Sequence, residues 1–241
     1  MVKKIAKYSL VFLLSICMLL SSACSKPEYK YDDGEGELYQ RMMPEIGDQI
    51  AIIHTNLGDF TVRLFPDEAP RAVENFVKLA QSGYYDGCIF FKIEHDFFIQ
   101  SGDPTNTGTG GQSYWGKDFK DEYSSMLHHI YGALAMARGE NPNTNRSQFF
   151  FVTNKNISHR WESDFSTEQA KNPALGYTQK VQDAYLENGG APWLDQVSTV
   201  FGQVVIGLNI MDKIARQEID ENGKPITDVV ITTIEITTYQ G

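Results

Sequence analysis

Short runs of alternating apolar and polar residues, or of clustered β-branched and aromatic residues, recur along most of the chain. The first two, residues 50–55 and 60–65, flank the turn Asn56-Leu57-Gly58-Asp59, and this arrangement predicts a β-hairpin. Further strand-like runs lie at residues 89–93, 97–100, 133–137, 148–152, 200–205 and 226–238. Many short strands with few helices predict a mainly β domain over residues 49–241, built as a closed barrel or a sandwich.

Two segments have helical instead of strand spacing. Apolar residues recur every three to four positions between Pro70 and Gly83, where proline suits the first turn of a helix and glycine its end. Leu208, Met211 and Ile214 show the same spacing. Both helices are therefore predicted to pack an apolar face against the sheet.

A polar stretch, residues 154–192, interrupts the succession of strands. It contains a helical pattern at residues 177–186, which Gly189-Gly190 ends. Long inserts in compact domains are usually either functional or disordered. The stretch is predicted to be a partly helical insertion in the β domain.

The N-terminal residues have the pattern of an export signal. Three lysines within the first seven positions precede an almost wholly apolar run, residues 10–20, and small residues then lead into Cys24. A short apolar run with a basic start is typical of a signal peptide and not of a membrane-spanning helix. Residues 1–23 are therefore predicted to be a signal peptide.

The position of Cys24 resembles a lipobox, in which the cysteine is acylated and becomes the mature N-terminus. Ser21 stands where a lipobox prefers leucine, and an ordinary secretory signal cut nearby is the alternative. Residues 24–48 are polar and rich in Gly, Asp and Glu, so they are predicted to form a flexible tether. The protein is thus expected to be an extracytoplasmic lipoprotein, anchored to the membrane through Cys24.

Composition and charge exclude several classes of function. The chain has 31 acidic and 21 basic residues, a net charge of -10 and no basic cluster after the signal peptide, so a nucleic-acid partner is not expected. The histidines lack metal-binding spacing and no Gly-x-Ser-x-Gly sequence is present. No metal, cofactor or serine nucleophile is predicted. Cys88 lies in an apolar run and is expected to be a buried structural thiol.

Aromatic, amide and cationic residues recur at characteristic intervals within the strand-like runs. The segments are Phe90-Phe91-Lys92-Ile93, Phe97-Phe98-Ile99-Gln100, Ala135-Met136-Ala137-Arg138, Ser147-Gln148-Phe149-Phe150 and Trp193-Leu194-Asp195. In this order and spacing they resemble the cyclophilin family of peptidyl-prolyl isomerases over most of residues 50–236. The resemblance implies a closed antiparallel β-barrel capped by helices, with a proline-binding groove on its outer face. It also implies catalysed rotation about X-Pro bonds.

The resemblance implies a role for each of several residues of this sequence. The proline pocket would be formed by Phe97, Phe98, Phe150 and Leu194. Hydrogen bonds to the substrate backbone would come from Gln100 and Gln148, which would also position the catalytic cation, Lys92. The adjoining groove would be lined by Gly108, Ala137, Arg138 and Gly139, with Trp193 as its far wall and Ser198 at the pocket edge.

The sequence departs from the family at three of these positions. Lys92 stands where active members carry arginine, Ser198 replaces a histidine, and Phe98 stands where methionine is common. Lysine keeps the charge but lacks the planar fork of donors. Two hypotheses follow: an isomerase that assists the folding of exported proteins, with turnover reduced by Lys92 and Ser198, or a proline-peptide binding module with little or no turnover. A purely structural barrel would have no use for so many groove residues.

The expected partners are proline-containing segments of exported polypeptides, with cyclosporin-like ligands in the same groove. The chain is expected to be a monomer. Residues 154–192 join the strand of Phe150 to Trp193, so both ends of the insertion are expected at the site. The insertion is predicted to lie beside the groove as a flap that selects clients without completing the core.

Overall fold

A computed structural model describes residues 30–158 and 161–241; the predicted signal peptide and Cys24 lie outside the described residues. The strands are β1 (Gln49–Thr55), β2 (Gly58–Leu64), β3 (Lys92–Glu94), β4 (Phe98–Ser101), β5 (Ala133–Arg138), β6 (Asn145–Val152), β7 (Val200–Ile206) and β8 (Ile231–Thr238). The α-helices are α1 (Pro70–Gln81), α2 (Trp161–Lys171), α3 (Gln179–Asn188) and α4 (Leu208–Ala215). None of these helices is long and apolar enough to cross a membrane.

The eight strands form one antiparallel sheet in the order β3-β4-β6-β5-β7-β2-β1-β8. The predicted β class is confirmed, but the sheet is not a fully closed barrel. In the part of the chain that the structure describes, the segments next to the end strands β3 and β8 are joined by the isolated bridge of Ile89 with Val230 and by a few backbone hydrogen bonds beside it, and not by a ladder. Phe90 N donates to Val229 O at 2.9 Å there. The predicted strand at residues 89–93 forms a ladder only from Lys92, so the closing ladder is not completed.

The core lies on the inner face of this sheet because residues two apart on a strand share a face. On β6, Phe149 and Phe151 point inward and are fully buried, and helix α1 covers them with Phe76. The two residues that alternate with them, Gln148 and Phe150, face the other way. The sheet therefore presents a second, partly apolar face outside the main core.

The insertion contains two helices and a core of its own. Sequence predicted α3 with an offset of two residues but did not predict α2, whose apolar residues are few. Phe165 of α2 and Tyr185 of α3 are fully buried and stack with ring centroids 5.6 Å apart. Leu38 and Ile130 complete this second core. The insertion is thus a packed layer and not the predicted flap.

Residues 30–48, predicted as part of a flexible tether, lie against the domain in the structure. Gln40 is fully buried, and its side-chain nitrogen donates to His128 O at 2.8 Å and to Gln203 Oε1 at 3.0 Å. Lys180 Nζ of the insertion forms an ion pair with Asp32 at 2.8 Å. These contacts join residues far apart in sequence, so the local polar pattern gave no sign of them.

Candidate functional site

The outer face of β4, β5 and β6 brings most of the predicted site residues together. Phe98 and Gln100 alternate with buried residues on β4, and Gln148 and Phe150 do the same on β6. Antiparallel register places Phe150 between Gln100 of β4 and Ala135 of β5. Two glutamine amides therefore lie beside an aromatic surface on one side of the sheet.

An apolar pocket of about 200 Å³ opens on this face. It is lined by Phe97, Phe98, Gln100, Ala137, Arg138, Phe150, Leu194 and Ser198. The Phe97 and Phe98 ring centroids lie 4.8 Å apart, and those of Phe98 and Phe150 lie 5.8 Å apart, both nearly edge to face. A cavity of this size with aromatic walls suits one small apolar ring, and the four residues predicted for the proline pocket are among those that line it.

A second, more polar groove of about 360 Å³ adjoins the pocket and shares Gln100, Ala137 and Arg138 with it. Gly108, Gly139 and Gln148 line this groove, as the resemblance implied for the two glycines. The remaining lining residues, which the sequence analysis did not name, are Thr109, Gly110, Asp118, Glu140, Asn141, Thr144 and Arg146. Because the two cavities share these three residues, a peptide in the pocket could extend past Arg138 into the groove.

The two glutamines are held by a chain of hydrogen bonds. Gln100 Nε2 donates to Gln148 Oε1 at 2.8 Å, and Gln148 Nε2 donates to Gly108 O at 3.0 Å and Gly110 O at 2.8 Å. The Gly108 loop is in turn fixed by Asp103, which accepts from Gly108 N at 2.7 Å. Within residues 30–158 and 161–241, Gln100 Oε1 accepts no hydrogen bond, so it is available to a substrate N–H.

Asp103 is the buried carboxylate that organises this loop. Burial acts to raise its pKa, but hydrogen bonds from Thr105, Gly110 and Gly108 hold the pKa below its usual value. The side chain therefore stays ionised at neutral pH and keeps accepting from the loop. The same bonds fix Gly108 and Gly110, whose carbonyl oxygens orient Gln148.

Lys92 lies at the edge of the pocket and not in its wall. It is opposite Gln100 on the neighbouring strand, and its side chain is exposed. Its Nζ lies 5.9 Å from the centroid of the Phe98 ring, at the outer limit of a cation–π contact. In the part of the chain that the structure describes, Lys92 lines neither cavity. The ammonium is therefore near the pocket but is held less firmly than the glutamines.

Trp193 has a different place from the one implied by the resemblance. It is 45% exposed and does not line the pocket or the groove; its ring packs against Phe97 with centroids 5.6 Å apart. Leu194, the next residue, does line the pocket, because the short 3-10 helix Pro192–Leu194 turns it inward. Trp193 thus supports the wall at Phe97 and does not form it.

Arg138 lines both cavities, and hydrogen bonds to backbone carbonyl oxygens and a nearby carboxylate hold its guanidinium in place. Its Nε donates to Val197 O at 2.9 Å, and its Nη1 donates to Gly139 O at 3.1 Å. Asp121 Oδ1 lies 3.6 Å from Nε. The guanidinium is therefore a fixed positive charge on the ridge between pocket and groove.

The groove contains an ion pair that the sequence analysis did not predict. Arg146 Nε donates to Asp118 Oδ1 at 2.6 Å, and both residues line the groove. Arg146 precedes Gln148 by two positions on β6, so strand periodicity alone could have placed it on the same face. Asp118 comes from a loop, and no local signal indicated it.

No group of three or more His, Cys, Asp or Glu side chains suited to a metal lies in residues 30–158 and 161–241. The only cysteine in that part of the chain, Cys88, is 1% exposed, and burial raises the pKa of its thiol to about 12. A thiol with such a pKa is protonated at neutral pH and is a poor nucleophile. The pocket itself is lined by apolar, amide, hydroxyl and cationic side chains, and the carboxylates of Asp118 and Glu140 lie in the adjoining groove.

Comparison with protein families and known sequences gives consistent matches. A family model described as cyclophilin type peptidyl-prolyl cis-trans isomerase/CLD matches residues 50–236. A Staphylococcus aureus protein named "Putative peptidyl-prolyl cis-trans isomerase" is 44% identical over 200 residues, covering 82% of this chain and 98% of that protein. A Staphylococcus epidermidis protein of the same name has the same identity and coverage.

Solved structures agree with the sequence matches. The crystal structure of a cyclophilin type peptidyl-prolyl cis-trans isomerase from Cryptosporidium parvum aligns with a TM-score of 0.63 and 31% identity, covering 80% of this chain and 99% of that one. A second crystal structure of that protein, in the presence of the dipeptide Ala-Pro, aligns with a TM-score of 0.62. The alignments cover nearly all of that protein, so the likeness extends over a whole domain and is not confined to a motif.

Proposed function

The chain belongs to the cyclophilin-type peptidyl-prolyl cis-trans isomerases, and we propose that it isomerises X-Pro bonds of exported polypeptides in the pocket between Phe97 and Ser198. One observation carries the choice of site: an aromatic pocket the size of a small ring lies directly beside an ordered glutamine pair. A positive charge, Lys92, lies at the edge of the same pocket. These are the groups that the reaction requires.

Rotation about an X-Pro bond has a barrier of roughly 18–20 kcal/mol because amide resonance is lost in the twisted state. No covalent bond breaks, so the protein has only to bind the twisted form more tightly than the planar ones. In the twisted form the proline nitrogen becomes pyramidal and regains a lone pair. A cationic hydrogen-bond donor near this nitrogen therefore lowers the barrier.

Each group of the site has a part in this mechanism. Phe98, Phe150 and Leu194 hold the pyrrolidine ring in the pocket. The free Gln100 oxygen accepts a hydrogen bond from the substrate backbone, which fixes one side of the rotating bond. Lys92, opposite Gln100 on the neighbouring strand, stabilises the developing lone pair. The rest of the peptide lies in the polar groove, beside Arg138.

A proline-peptide binding module is the second candidate, and the placement of Lys92 favours it. The amide of Gln100 donates to Gln148, whereas among the described residues the ammonium of Lys92 makes no hydrogen bond or ion pair and lies 5.9 Å from the centroid of the Phe98 ring. A flexible ammonium stabilises a twisted amide less well than a guanidinium in a fixed fork. We therefore propose measurable but reduced turnover.

The cellular setting is proposed from the sequence of residues 1–24. A signal peptide and an acylated Cys24 would place the domain outside the cytoplasm, on the membrane surface, where it would assist the folding of exported proteins as a monomer. Cyclosporin-like ligands are proposed to compete with proline peptides for the same pocket. Neither a metal nor a cofactor enters the proposed reaction.

Isomer-specific proteolysis of a short X-Pro peptide tests the proposal. We expect the wild type to accelerate conversion in proportion to its concentration. Gln100→Ala should lower kcat/KM about tenfold, because one substrate hydrogen bond contributes roughly 0.5–1.5 kcal/mol and the partner Gln148 is also released. Gln217→Ala, which removes an exposed amide bonded to Lys213 O, is the matched control. Equal rates with and without the wild type would contradict the proposal.

A further inference from the structure

A buried carboxylate lies directly behind the pocket. Asp195 follows Leu194 in the chain, and its side chain is only 3% exposed. Its two oxygens accept hydrogen bonds from Tyr185 Oη at 2.7 Å and from His129 N at 2.9 Å. They also lie 2.8 Å from His129 Nδ1 and 3.2 Å from His128 Nδ1. Asp195, Tyr185, His128 and His129 do not line the pocket themselves; Asp195 and His129 contact residues that do.

Each partner of Asp195 reaches a different part of the site. The His129 ring stacks against Phe150, the pocket floor, with centroids 6.1 Å apart and planes inclined by 12°. Leu194, the pocket wall, is joined to Asp195 by one peptide bond. Tyr185 belongs to α3 of the insertion. A single carboxylate therefore connects the floor, the wall and the insertion.

Backbone contacts strengthen the same connection. Ala191 N donates to His129 O at 2.8 Å, and within the insertion the Tyr177 side-chain Oη donates to Pro192 O, two residues before Leu194, at 2.9 Å. At Gly190, φ is +143°, and a Cβ there would lie 2.5 Å from His129 O and 2.6 Å from the Tyr185 ring. The end of the insertion thus packs against the pocket segment with no room for a side chain.

The electrostatics of the cluster favour a fixed geometry. Burial acts to raise the pKa of Asp195, but hydrogen bonds and electrostatic interactions with His128 and His129 hold this pKa well below its usual range. Burial and the Asp195 charge raise the pKa of Tyr185 well above its usual value, so its hydroxyl remains a donor. A buried carboxylate that loses one such donor is left partly unsatisfied, and the surrounding segments shift to compensate.

We infer that Tyr185 and Asp195 are positioning residues for the isomerase site: through them the insertion holds Phe150 and Leu194 at the spacing that the proline ring requires. This inference rests on the proposed function. The insertion acts on the reaction from behind the pocket wall, and it does so without contacting the substrate. Its contribution is therefore to proline binding, while Lys92 and Gln100 stay in place for the rotation itself.

The test compares Tyr185→Phe with Tyr131→Phe, in enzyme assays and in titrations with an X-Pro peptide. Both substitutions remove one tyrosine hydroxyl that donates to a carboxylate at 2.7 Å, but the acceptor of Tyr131 is Asp212 on α4. We expect similar losses of Tm for the two variants. Only Tyr185→Phe should raise KM and Kd, by about fivefold, with kcat nearly unchanged.

His129→Leu is a second variant that keeps the backbone N–H bond to Asp195 and removes the ring stacked on Phe150. It should raise KM and Kd in the same way. Values of KM and Kd within twofold of the wild type for both Tyr185→Phe and His129→Leu would overturn the inference. If the wild type binds the peptide without turnover, the proposed activity fails and the Kd comparison alone decides the inference. If the wild type neither binds nor turns over, both are overturned.

Discussion

At the scale of single residues, the proposed catalysis depends on the charge at position 92. Lys92 presents a charged donor at the pocket edge but lacks the fixed geometry of a guanidinium. A charged hydrogen bond contributes roughly 1.5–3 kcal/mol, and each 1.36 kcal/mol is about tenfold in rate. Lysine is expected to retain only part of this contribution.

We predict that Lys92→Ala lowers kcat/KM about tenfold and that Lys92→Arg raises it several-fold, with peptide Kd changed by less than twofold in both. The arginine gains a second donor for Gln100, which lies opposite it on β4. Lys213→Ala, which removes another exposed lysine, is the control and should leave kcat/KM unchanged. Identical kcat/KM for the wild type and Lys92→Ala would show that the cation plays no part.

Single residues also show how far the sequence could locate the site. The resemblance assigned Phe97, Phe98, Phe150 and Leu194 to one pocket, and the structure brings them together. Phe98 and Phe150 lie on strands, whose alternation fixes the face of each side chain, whereas Phe97 directly precedes β4 and Leu194 ends the 3-10 helix Pro192–Leu194. Asp195 and its partners were not found, because Tyr185 and His129 reach it from distant segments of the chain and no spacing reveals such a contact.

At the scale of elements, strands and the two sheet-packed helices could be predicted, because their apolar residues recur at a regular period. The α1 prediction from Pro70 onward is confirmed. Helix α2 was missed because its buried residue Phe165 stands among polar ones, and the helix packs mainly through that ring. A closed barrel was predicted from the sequence, but the structure has one isolated bridge at Ile89 in place of the closing ladder. The sequence pattern of this segment is compatible with either arrangement.

The insertion, residues 154–192, differs most from its prediction, because it was expected to be a flap and instead contains a packed core. Its rings from Phe165, Tyr177 and Tyr185 pack against one another and against Leu38. Replacing residues 154–192 with a short Gly-Ser link is therefore expected to destabilise the domain, in contrast to the near-neutral effect expected of a flap. Loss of Tyr185 would also leave Asp195 partly unsatisfied.

A single substitution tests this without deleting the element. Phe165→Ala should lower the free energy of unfolding by about 3–5 kcal/mol, because a fully buried aromatic side chain is lost. Leu186→Ala on α3, where the side chain is 42% exposed, should change it by less than about 0.5 kcal/mol. Urea unfolding measures both values. A Phe165→Ala variant as stable as Leu186→Ala would show that the insertion is a loosely attached flap.

At the scale of the whole molecule, the segment that precedes β1 limits the distance between the domain and a membrane to which Cys24 would be anchored. Residues 30–48 are bound to the domain through Gln40 and Asp32 and do not act as a free spacer. If Cys24 carries lipid, only residues 25–29 separate the anchor from this bound segment. Five extended residues span at most about 18 Å, so the insertion face would be held close to the bilayer.

We predict that Cys24→Ala releases the protein from the membrane fraction, because the acyl chains are its only proposed anchor. Cys88→Ala is the matched control: this thiol is buried in the core, and its loss should leave fractionation unchanged. Ultracentrifugation of lysed cells followed by immunoblotting gives the distribution. Retention of Cys24→Ala in the membrane fraction at the wild-type level would contradict the anchor.

The pocket is proposed to accelerate rotation about X-Pro bonds and not merely to bind proline. Two-dimensional exchange NMR of an Ala-Pro peptide at equilibrium measures this directly, since it reports cis-to-trans interconversion without a protease. A substoichiometric amount of the wild type should produce exchange cross-peaks between the cis and trans resonances while the ratio of the two isomers stays the same. Peptide resonances that shift or broaden on binding, with no cross-peaks above those of the free peptide, would contradict the proposed catalysis and identify a binding module.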